Sequence, residues 1–139
     1  MDPVTQGILG ASVPQAISQK NNIVYASLLG AVSGMAPDLD TFITSDNDPL
    51  LYLEYHRQFT HSLLFIPIGA LICALVFYYL FSRRLEFSFK LTYIFCLCGY
   101  ATHGLLDACT SYGTQLLWPF STERFASNTI SVIDPLFTL

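Results

Sequence analysis

His103 and Asp107 stand four residues apart in a mostly apolar stretch that runs from residue 91 to residue 113. On a helix, residues i and i+4 share one face, so the imidazole and the carboxylate would point the same way. Ionisable groups at membrane depth are costly, and by default they mark a functional site. Imidazole and carboxylate are also ligands for divalent metals. The pair therefore predicts half of a metal site.

More candidate ligands lie at the ends of the other apolar segments. The remaining two histidines, His56 and His61, fall within HRQFTH, and Asp38 and Asp40 lie within APDLD. A divalent metal that catalyses hydrolysis needs a few His or carboxylate ligands and an open position for water. Zinc is the first choice, and Mn, Fe and Mg also suit mixed His/Asp ligation. The predicted metal ligands are Asp38, Asp40, His56, His61, His103 and Asp107.

The predicted catalytic residues are Asp40 and Arg57. Asp40 would act as a second ligand or as the general base, and Arg57 would bind a phosphate or carboxylate oxygen of the substrate. His56 precedes His61 by five residues, so on a continuous helix the two rings would lie on different faces. A shared centre therefore requires a bend near Phe59.

Each of these residues also has a purely structural interpretation. His103 could form a helix–helix hydrogen bond, as histidines in membrane helices often do. Asp107 could cap a helix or pair with Arg57, and Asp38 and Asp40 could cap a helix N-terminus. The conjunction of three histidines and three acids at one membrane face nevertheless favours a shared site over independent structural roles.

The composition predicts that helices in a membrane position these residues. The chain has 139 residues, of which 53% are apolar and only 12% charged, about half the charged fraction of a soluble domain. We predict an all-α membrane protein with a single domain over residues 1–139, and with a polar loop between the second and third helices. Its four apolar helices, two short and two full-length, are predicted at 4–18, 23–36, 62–82 and 89–109.

Small residues and cysteines in these helices have structural interpretations. Gly30 and Gly34 are expected to allow close helix–helix packing. The four cysteines are expected to be small buried hydrophobes without a disulfide framework. In the polar loop, the SDNDP segment at 45–49 reads as a solvated turn, because it lacks the glycine and distal glutamate of a calcium loop.

The charge distribution predicts topology and excludes one class of partner. A net charge of −4 without a basic stripe argues against nucleic-acid binding. If all four helices cross the bilayer, the two basic loops fall on one side, which the positive-inside rule makes cytoplasmic. The candidate ligands then meet toward the opposite membrane face. The basic residues of the two loops are Lys20, Arg83, Arg84 and Lys90.

Several segments resemble a known family, the YdjM-like membrane-bound metal-dependent hydrolases, described as LexA-regulated inner-membrane proteins. The resemblance is carried by MDPVTQGILGA, APDLD, HRQFTHSLLF, HGLLDACTSYGTQLLWPFS and IDPLFTL. It implies a helical inner-membrane protein of the SOS response with hydrolase activity. Many relatives carry His where this chain has Gln6, and they continue past DPLFTL, so we expect a longer protein. The implied motif residues are Asp38, Asp40, His56, Arg57, His61, His103, Asp107 and Asp134.

Two functional hypotheses follow. The first is a multi-pass, metal-dependent hydrolase of the bacterial inner membrane, acting on a phosphoester or another lipid-linked ester whose head group lies at the bilayer surface. The alternative is a non-enzymatic metal-binding membrane protein involved in stress response or assembly, which would hold its metal with no open coordination position. A transporter ranks last, because its ionisable residues would lie near the midplane and its halves would repeat.

Overall fold

The computed structural model describes residues 1–42 and 56–132. These residues form an all-helical fold without β-strands, and the predicted bounds of the first, second and fourth helices are accurate to within one residue. The predicted turn at 45–49, Asp134 and the final IDPLFTL segment lie outside the described residues. The four α-helices are α1 (Pro3–Ile17), α2 (Ile23–Met35), α3 (Ile66–Phe77) and α4 (Phe89–Ala108).

Local sequence signals set where two helices begin. Asp2 caps α1, because its Oδ1 accepts the N–H of Thr5 at 3.0 Å, and Pro3 occupies the first turn, where a missing N–H costs nothing. Ser88 caps α4 in the same way, accepting the N–H of Leu91 at 3.3 Å. These caps satisfy backbone donors that have no partner within the helix.

The third predicted helix, 62–82, is shorter than expected. Ser62 accepts the N–H of Phe65 at 3.3 Å and so closes a turn in front of the helix. α3 therefore starts at Ile66, with Pro67 in its first turn. Its regular part ends at Phe77, and a π-helical turn, Tyr78–Ser82, completes the segment.

Neither of the two full-length membrane spans predicted from the sequence is a spanning helix in the described part of the chain. Among the described residues, no helix combines the length and the apolar character needed to cross a bilayer. α3 is too short, at 12 residues. α4 has 20 residues, but Lys90, His103 and Asp107 interrupt its apolar sequence.

Three helices cross at glycines, which places α4 against α1 and α2. A Cβ atom on Gly10 of α1 would lie 2.6 Å from the carbonyl oxygen of Gly30 on α2, and one on Gly99 of α4 would lie 2.7 Å from the Cα of Gly30. Gly34 likewise lies against Gly10 and Gly99. The packing interpretation of Gly30 and Gly34 is thus confirmed. Backbone contact at this crossing fixes where the last turns of α4 lie.

Gly99→Val should destabilise the fold, because the new side chain would overlap the backbone of α2 at Gly30. Overpacking of this kind costs about 1–3 kcal/mol, and we expect a loss of at least that size in the free energy of unfolding in detergent. Leu105→Val is the matched control, since Leu105 lies on the same helix and is 54% exposed. Equal stability of the two variants would contradict the close crossing.

Candidate metal centre

Four donor atoms from three parts of the fold converge on one point. α4 supplies His103 and Asp107, the 3-10 helix Ala36–Phe42 supplies Asp38, and the 3-10 helix Phe59–His61 supplies His61. The two Nε2 atoms are 2.9 Å apart. Asp38 Oδ1 lies 3.5 Å from His61 Nε2 and 3.2 Å from His103 Nε2. Asp107 Oδ2 lies 3.3 Å and 3.5 Å from the same two nitrogens.

The hydrogen bonds behind the rings fix which nitrogen faces the centre. The Nδ1 of His103 contacts the carbonyl oxygen of Gly34, and because a carbonyl only accepts, Nδ1 must carry the proton. The hydroxyl of Thr60 donates to Asp40 Oδ2 at 2.7 Å, so its oxygen accepts from His61 Nδ1 at 2.9 Å. In the neutral rings both Nε2 atoms therefore carry lone pairs, as metal-ligating histidines do.

A cation fits this arrangement better than any other group. Two nitrogen lone pairs and two carboxylate oxygens would repel one another without a positive charge between them. Asp107 Oδ2 is buried and accepts no hydrogen bond, although such an atom normally has a partner. Ligand atoms around a tetrahedral zinc, at about 2.0–2.1 Å from the ion, lie roughly 3.3 Å apart. The separations of 2.9 to 3.5 Å match that spacing.

The carboxylates around His61 favour a proton on its ring. Burial alone would lower the pKa of His61, but its contacts with the carboxylates of Asp107, Asp38 and Asp40 outweigh it and raise the pKa to about 10. Burial alone would likewise raise the pKa of Asp38, whereas its contacts with His103 and His61 hold that pKa well below its usual range. The centre therefore stabilises positive charge on His61.

Metal binding at pH 7 should release about one proton per ion from His61, because this group is protonated below a pKa of about 10 and a ligating imidazole must be neutral. Apparent affinity should accordingly rise with pH between 7 and 9. Isothermal titration calorimetry in two buffers with different ionisation enthalpies measures the released proton directly. An enthalpy that does not depend on the buffer would contradict this protonation state.

Asp107 is itself held in place by other buried groups. Its Oδ1 accepts from Gln6 Nε2 at 3.0 Å and also contacts the amino group of Met1. Its Oδ2 lies 3.1 Å from Arg57 Nε. Gln6 is completely buried. In this chain the residue at position 6 thus positions a candidate ligand through a hydrogen bond.

Gln6→Ala should weaken metal binding without removing any of the four donors, because Asp107 would lose a hydrogen bond that orients it. Loss of such a partner typically lowers metal affinity by about 10- to 100-fold. Competition with a chelator of known affinity measures the change. Gln15→Ala on the same helix is the control, since Gln15 is exposed. Unchanged affinity in Gln6→Ala would show that Asp107 needs no such support.

The six predicted ligands fall into two groups rather than one. Asp38, Asp40 and His56 form a second group, whose donor atoms lie within 4.8 Å of one another. Asp38 belongs to both groups. The predicted bend before His61 is present, since Arg57 has a positive φ of 60°, and the rings of His56 and His61 are 6.0 Å apart.

Arg57 is buried and bonded within the protein, whereas a residue that binds a substrate anion would present its guanidinium to the cleft. It is only 4% exposed. Besides the Asp107 contact, its Nη1 donates to Thr110 Oγ1 at 3.1 Å, and its guanidinium lies over the ring of Tyr112 at 5.0 Å. Thr110, Tyr112 and Thr60 were not among the predicted site residues. Hydroxyl and ring side chains of this kind occur throughout the chain, so residue type alone could not identify these three as residues of the site.

An open cleft of about 630 Å³ leads to the two groups. Asp38 is the most accessible of the four donors, with 24% of its side chain exposed, whereas the side chains of His61, His103 and Asp107 are fully buried. Apolar side chains dominate the walls, and Leu39 and Phe42 at the rim are 62% and 79% exposed. His56, Arg57 and Met35 also line the cleft.

Comparison with known proteins identifies the family of the chain. The profile of the YdjM inner membrane protein family matches residues 1–139. The chain belongs to this family. The resemblance seen in the sequence is thereby confirmed, and the family description indicates an inner membrane protein.

Two curated relatives are longer than the chain. YfhP of Bacillus subtilis (strain 168) is 26% identical over 142 residues, which cover 97% of this chain and 42% of YfhP. The inner membrane protein YbcI of Escherichia coli (strain K12) is 31% identical over 98 residues, or 69% of this chain and 54% of YbcI. The chain thus spans about half the length of these relatives. No solved structure matches it.

Proposed function

We propose that this protein is a metal-dependent hydrolase of the inner membrane that cleaves a phosphoester or another lipid-linked ester. The observation that supports it most directly is the convergence of four lone-pair donors on one point. One of the four, Asp107 Oδ2, is a buried atom without a hydrogen bond. The apolar cleft that reaches Asp38 supports an amphipathic substrate. Its reacting group would lie at the donors and its apolar part against Leu39 and Phe42.

The residues would divide the work as follows. His61, His103, Asp38 and Asp107 would hold a divalent metal, which lowers the pKa of water and so supplies a nucleophile near neutral pH. In the reaction, the water oxygen bonds to phosphorus or to the carbonyl carbon, the ester bond breaks, and the leaving oxygen takes a proton. Arg57 lines the cleft, but its guanidinium is engaged by Asp107 and Thr110, so it would position Asp107 and would contribute positive charge toward the anionic part of the substrate.

Asp40 is better suited to positioning Thr60, and through it His61, than to the general-base role predicted from the sequence. Its Oδ1 contacts His56 Nδ1 at 2.8 Å. Its Oδ2 accepts from the Thr60 hydroxyl at 2.7 Å and from the backbone N–H of Arg57 at 3.1 Å. Both oxygens are therefore already engaged, and the Thr60 bond in turn orients His61.

Hydrolysis by the purified protein tests the proposal. We expect metal-dependent turnover of bis(p-nitrophenyl) phosphate or of a p-nitrophenyl ester in detergent, and no turnover by His61→Ala. Thr102→Ala is the control, because the Thr102 hydroxyl bonds only to Gly99 of its own helix among the described contacts. Wild-type protein that holds stoichiometric metal and cleaves neither class of ester would contradict the hydrolase proposal.

One observation favours the non-enzymatic alternative. Four protein donors, three of them with fully buried side chains, also make the closed set that is typical of structural metal sites. In that case the metal would stabilise the fold without supporting turnover. The hydrolysis assay and the unfolding midpoint together separate the two functions. A structural site predicts an unfolding midpoint that depends on metal and a wild type that is inactive.

A further inference from the structure

We propose that the groove between α1 and α2 binds the acyl chain of the membrane lipid whose ester the four-donor centre would cleave. This assignment rests on the proposed function and narrows its substrate to a lipid with a chain long enough to fill the groove. The groove encloses about 750 Å³, within the range of about 300–1,000 Å³ that small-molecule sites have in proteins. The surface between the two helices is thus concave, in contrast to a flat apolar face.

Two stripes of side chains form the walls of the groove. Along each helix the wall residues recur after four, three and four positions, so each stripe occupies one helix face. The stripes are Val4, Ile8, Ala11 and Gln15 on α1, and Val24, Leu28, Ala31 and Met35 on α2. Ala11 and Ala31 are small and half-buried, whereas Val24 is 82% exposed. The alanines therefore lie deeper in the groove and leave space between the longer side chains.

The walls suit an alkyl chain and offer little to a polar ligand. The Ser27 hydroxyl donates to the carbonyl oxygen of Ile23 on its own helix at 2.8 Å, so its hydrogen is already used. Gln15 is the other polar side chain among the wall residues, and it lies at the end of the groove away from the donor centre. Binding here would come from burial of apolar surface, which requires no directional partner.

The groove continues into the cleft of the donor centre. The first turns of α1 meet the last turn of α2, because a Cβ atom on Gly7 would lie 3.3 Å from Met35 Sδ. Pro3 and Met35 line both the groove and the cleft that contains Asp38. A lipid whose reacting group lies at Asp38 would therefore extend its chain past Met35 and along the two helices.

The length of the groove matches one leaflet of a bilayer. From Val4 to Gln15 the helix axis spans about 16 Å at 1.5 Å per residue. The hydrocarbon core of a bilayer is roughly 30 Å thick, so the groove is about as long as the acyl chains of one leaflet. The chain belongs to a family of inner membrane proteins, and the lipids of that membrane supply such chains at high local concentration. The occupant assigned to the groove is accordingly a lipid chain.

Photolabelling with an alkyl phosphonate tests this assignment on the full-length, zinc-loaded protein in detergent. The carbon–phosphorus bond of the probe resists hydrolysis, and a diazirine sits at the far end of its chain. We expect saturable labelling of wild type near Val24 and Leu28, which an excess of unlabelled alkyl phosphonate abolishes. A second probe, with the diazirine beside the phosphonate, should instead label Leu39 and Phe42 at the rim of the cleft.

Three variants show whether the groove itself holds the chain. Ala31→Phe should lose the labelling by the chain-end probe, because the ring would fill the groove. Ala11→Phe fills it from the facing helix and guards against a folding failure of the first variant. Val32→Phe is the matched control and should be labelled like wild type, since Val32 is exposed and lies outside the groove walls. Circular dichroism checks that all three variants keep their helices.

The other outcomes are distinct. Labelling that does not saturate, and that is equally strong at Ile72 and Val76 on the exposed face of α3, would reflect the surrounding detergent only and would overturn the assignment. A dimer that dissociates in Ala31→Phe would also overturn it, because a second copy would then cover the groove. Saturable labelling without turnover of either ester class supports the groove and overturns the hydrolase. Turnover without saturable labelling does the reverse.

Discussion

His103→Ala is expected to bind no metal at the four-donor centre and to lose all metal-dependent hydrolysis. The substitution removes one of the two nitrogen donors, whose separation of 2.9 Å defines the centre. It also removes the contact with the Gly34 carbonyl that fixes the tautomer. The other donors would then be two carboxylates and the imidazole of His61, on which a proton competes with the metal. Elemental analysis of the purified variant, beside wild type, measures the loss.

Thr102→Ala is the matched control for this variant, because it lies on the same helix and leaves the donors in place. Circular dichroism of both variants should show that the helices persist. Full retention of metal in a folded His103→Ala protein would mean that His103 serves only as a helix–helix hydrogen-bond donor. The ligand role of this residue would then be wrong.

Asp107→Ala is expected to cost the most stability of any single substitution at the site. Arg57, which is 4% exposed, would lose the carboxylate beside its Nε and remain buried without that partner. Removing one member of a buried ion pair costs about 3–5 kcal/mol. Measurement of denaturant unfolding in metal-free detergent solution separates this effect from the loss of a metal ligand.

A double substitution supplies the control for that cost. In Arg57→Leu/Asp107→Leu the guanidinium no longer remains buried without its carboxylate, although the Met1 amino group still loses its contact with Asp107. The double variant should therefore recover a part of the stability lost in Asp107→Ala. Thr110→Val removes a neutral partner of Arg57 and should cost less than Asp107→Ala. Equal stabilities of Asp107→Ala and wild type would show that Arg57 does not depend on the carboxylate.

Hydropathy and helical spacing were sufficient to predict most of the fold. The predicted helix at 89–109 is α4, Phe89–Ala108, because its apolar sequence, its cap and its i, i+4 pair all agree. The predicted span at 62–82 fails at its start, since Ser62 forms a turn with Phe65. Apolar character alone cannot distinguish a turn followed by a helix from one longer helix.

The site shows why a structural and a functional interpretation need not exclude each other. His103 does bond to another helix through Nδ1, and Asp107 does lie against Arg57. His103 Nε2 is left directed at the centre, and Asp107 Oδ2 faces the same point although it also lies beside Arg57 Nε. Sequence spacing predicted the shared face, but it could not predict which atom of each side chain would be occupied.

The division of the six ligands into two groups was beyond sequence reasoning for a different reason. It depends on the left-handed backbone at Arg57 and on Thr60, which bridges Asp40 and His61. Neither Arg nor Thr indicates such a role by its type. The contact between Gln6 and Asp107 spans 101 positions in the chain, so no local pattern could reveal it.

X-ray absorption at the zinc edge, on protein loaded with one equivalent of zinc, tests the metal centre most directly. Two imidazole nitrogens and carboxylate oxygens at about 2.0–2.1 Å are expected around the ion, and the imidazole signal should fall in His61→Ala and in His103→Ala. A spectrum that is dominated by sulfur, or that lacks imidazole and is the same in all three proteins, would contradict binding between His61, His103, Asp38 and Asp107.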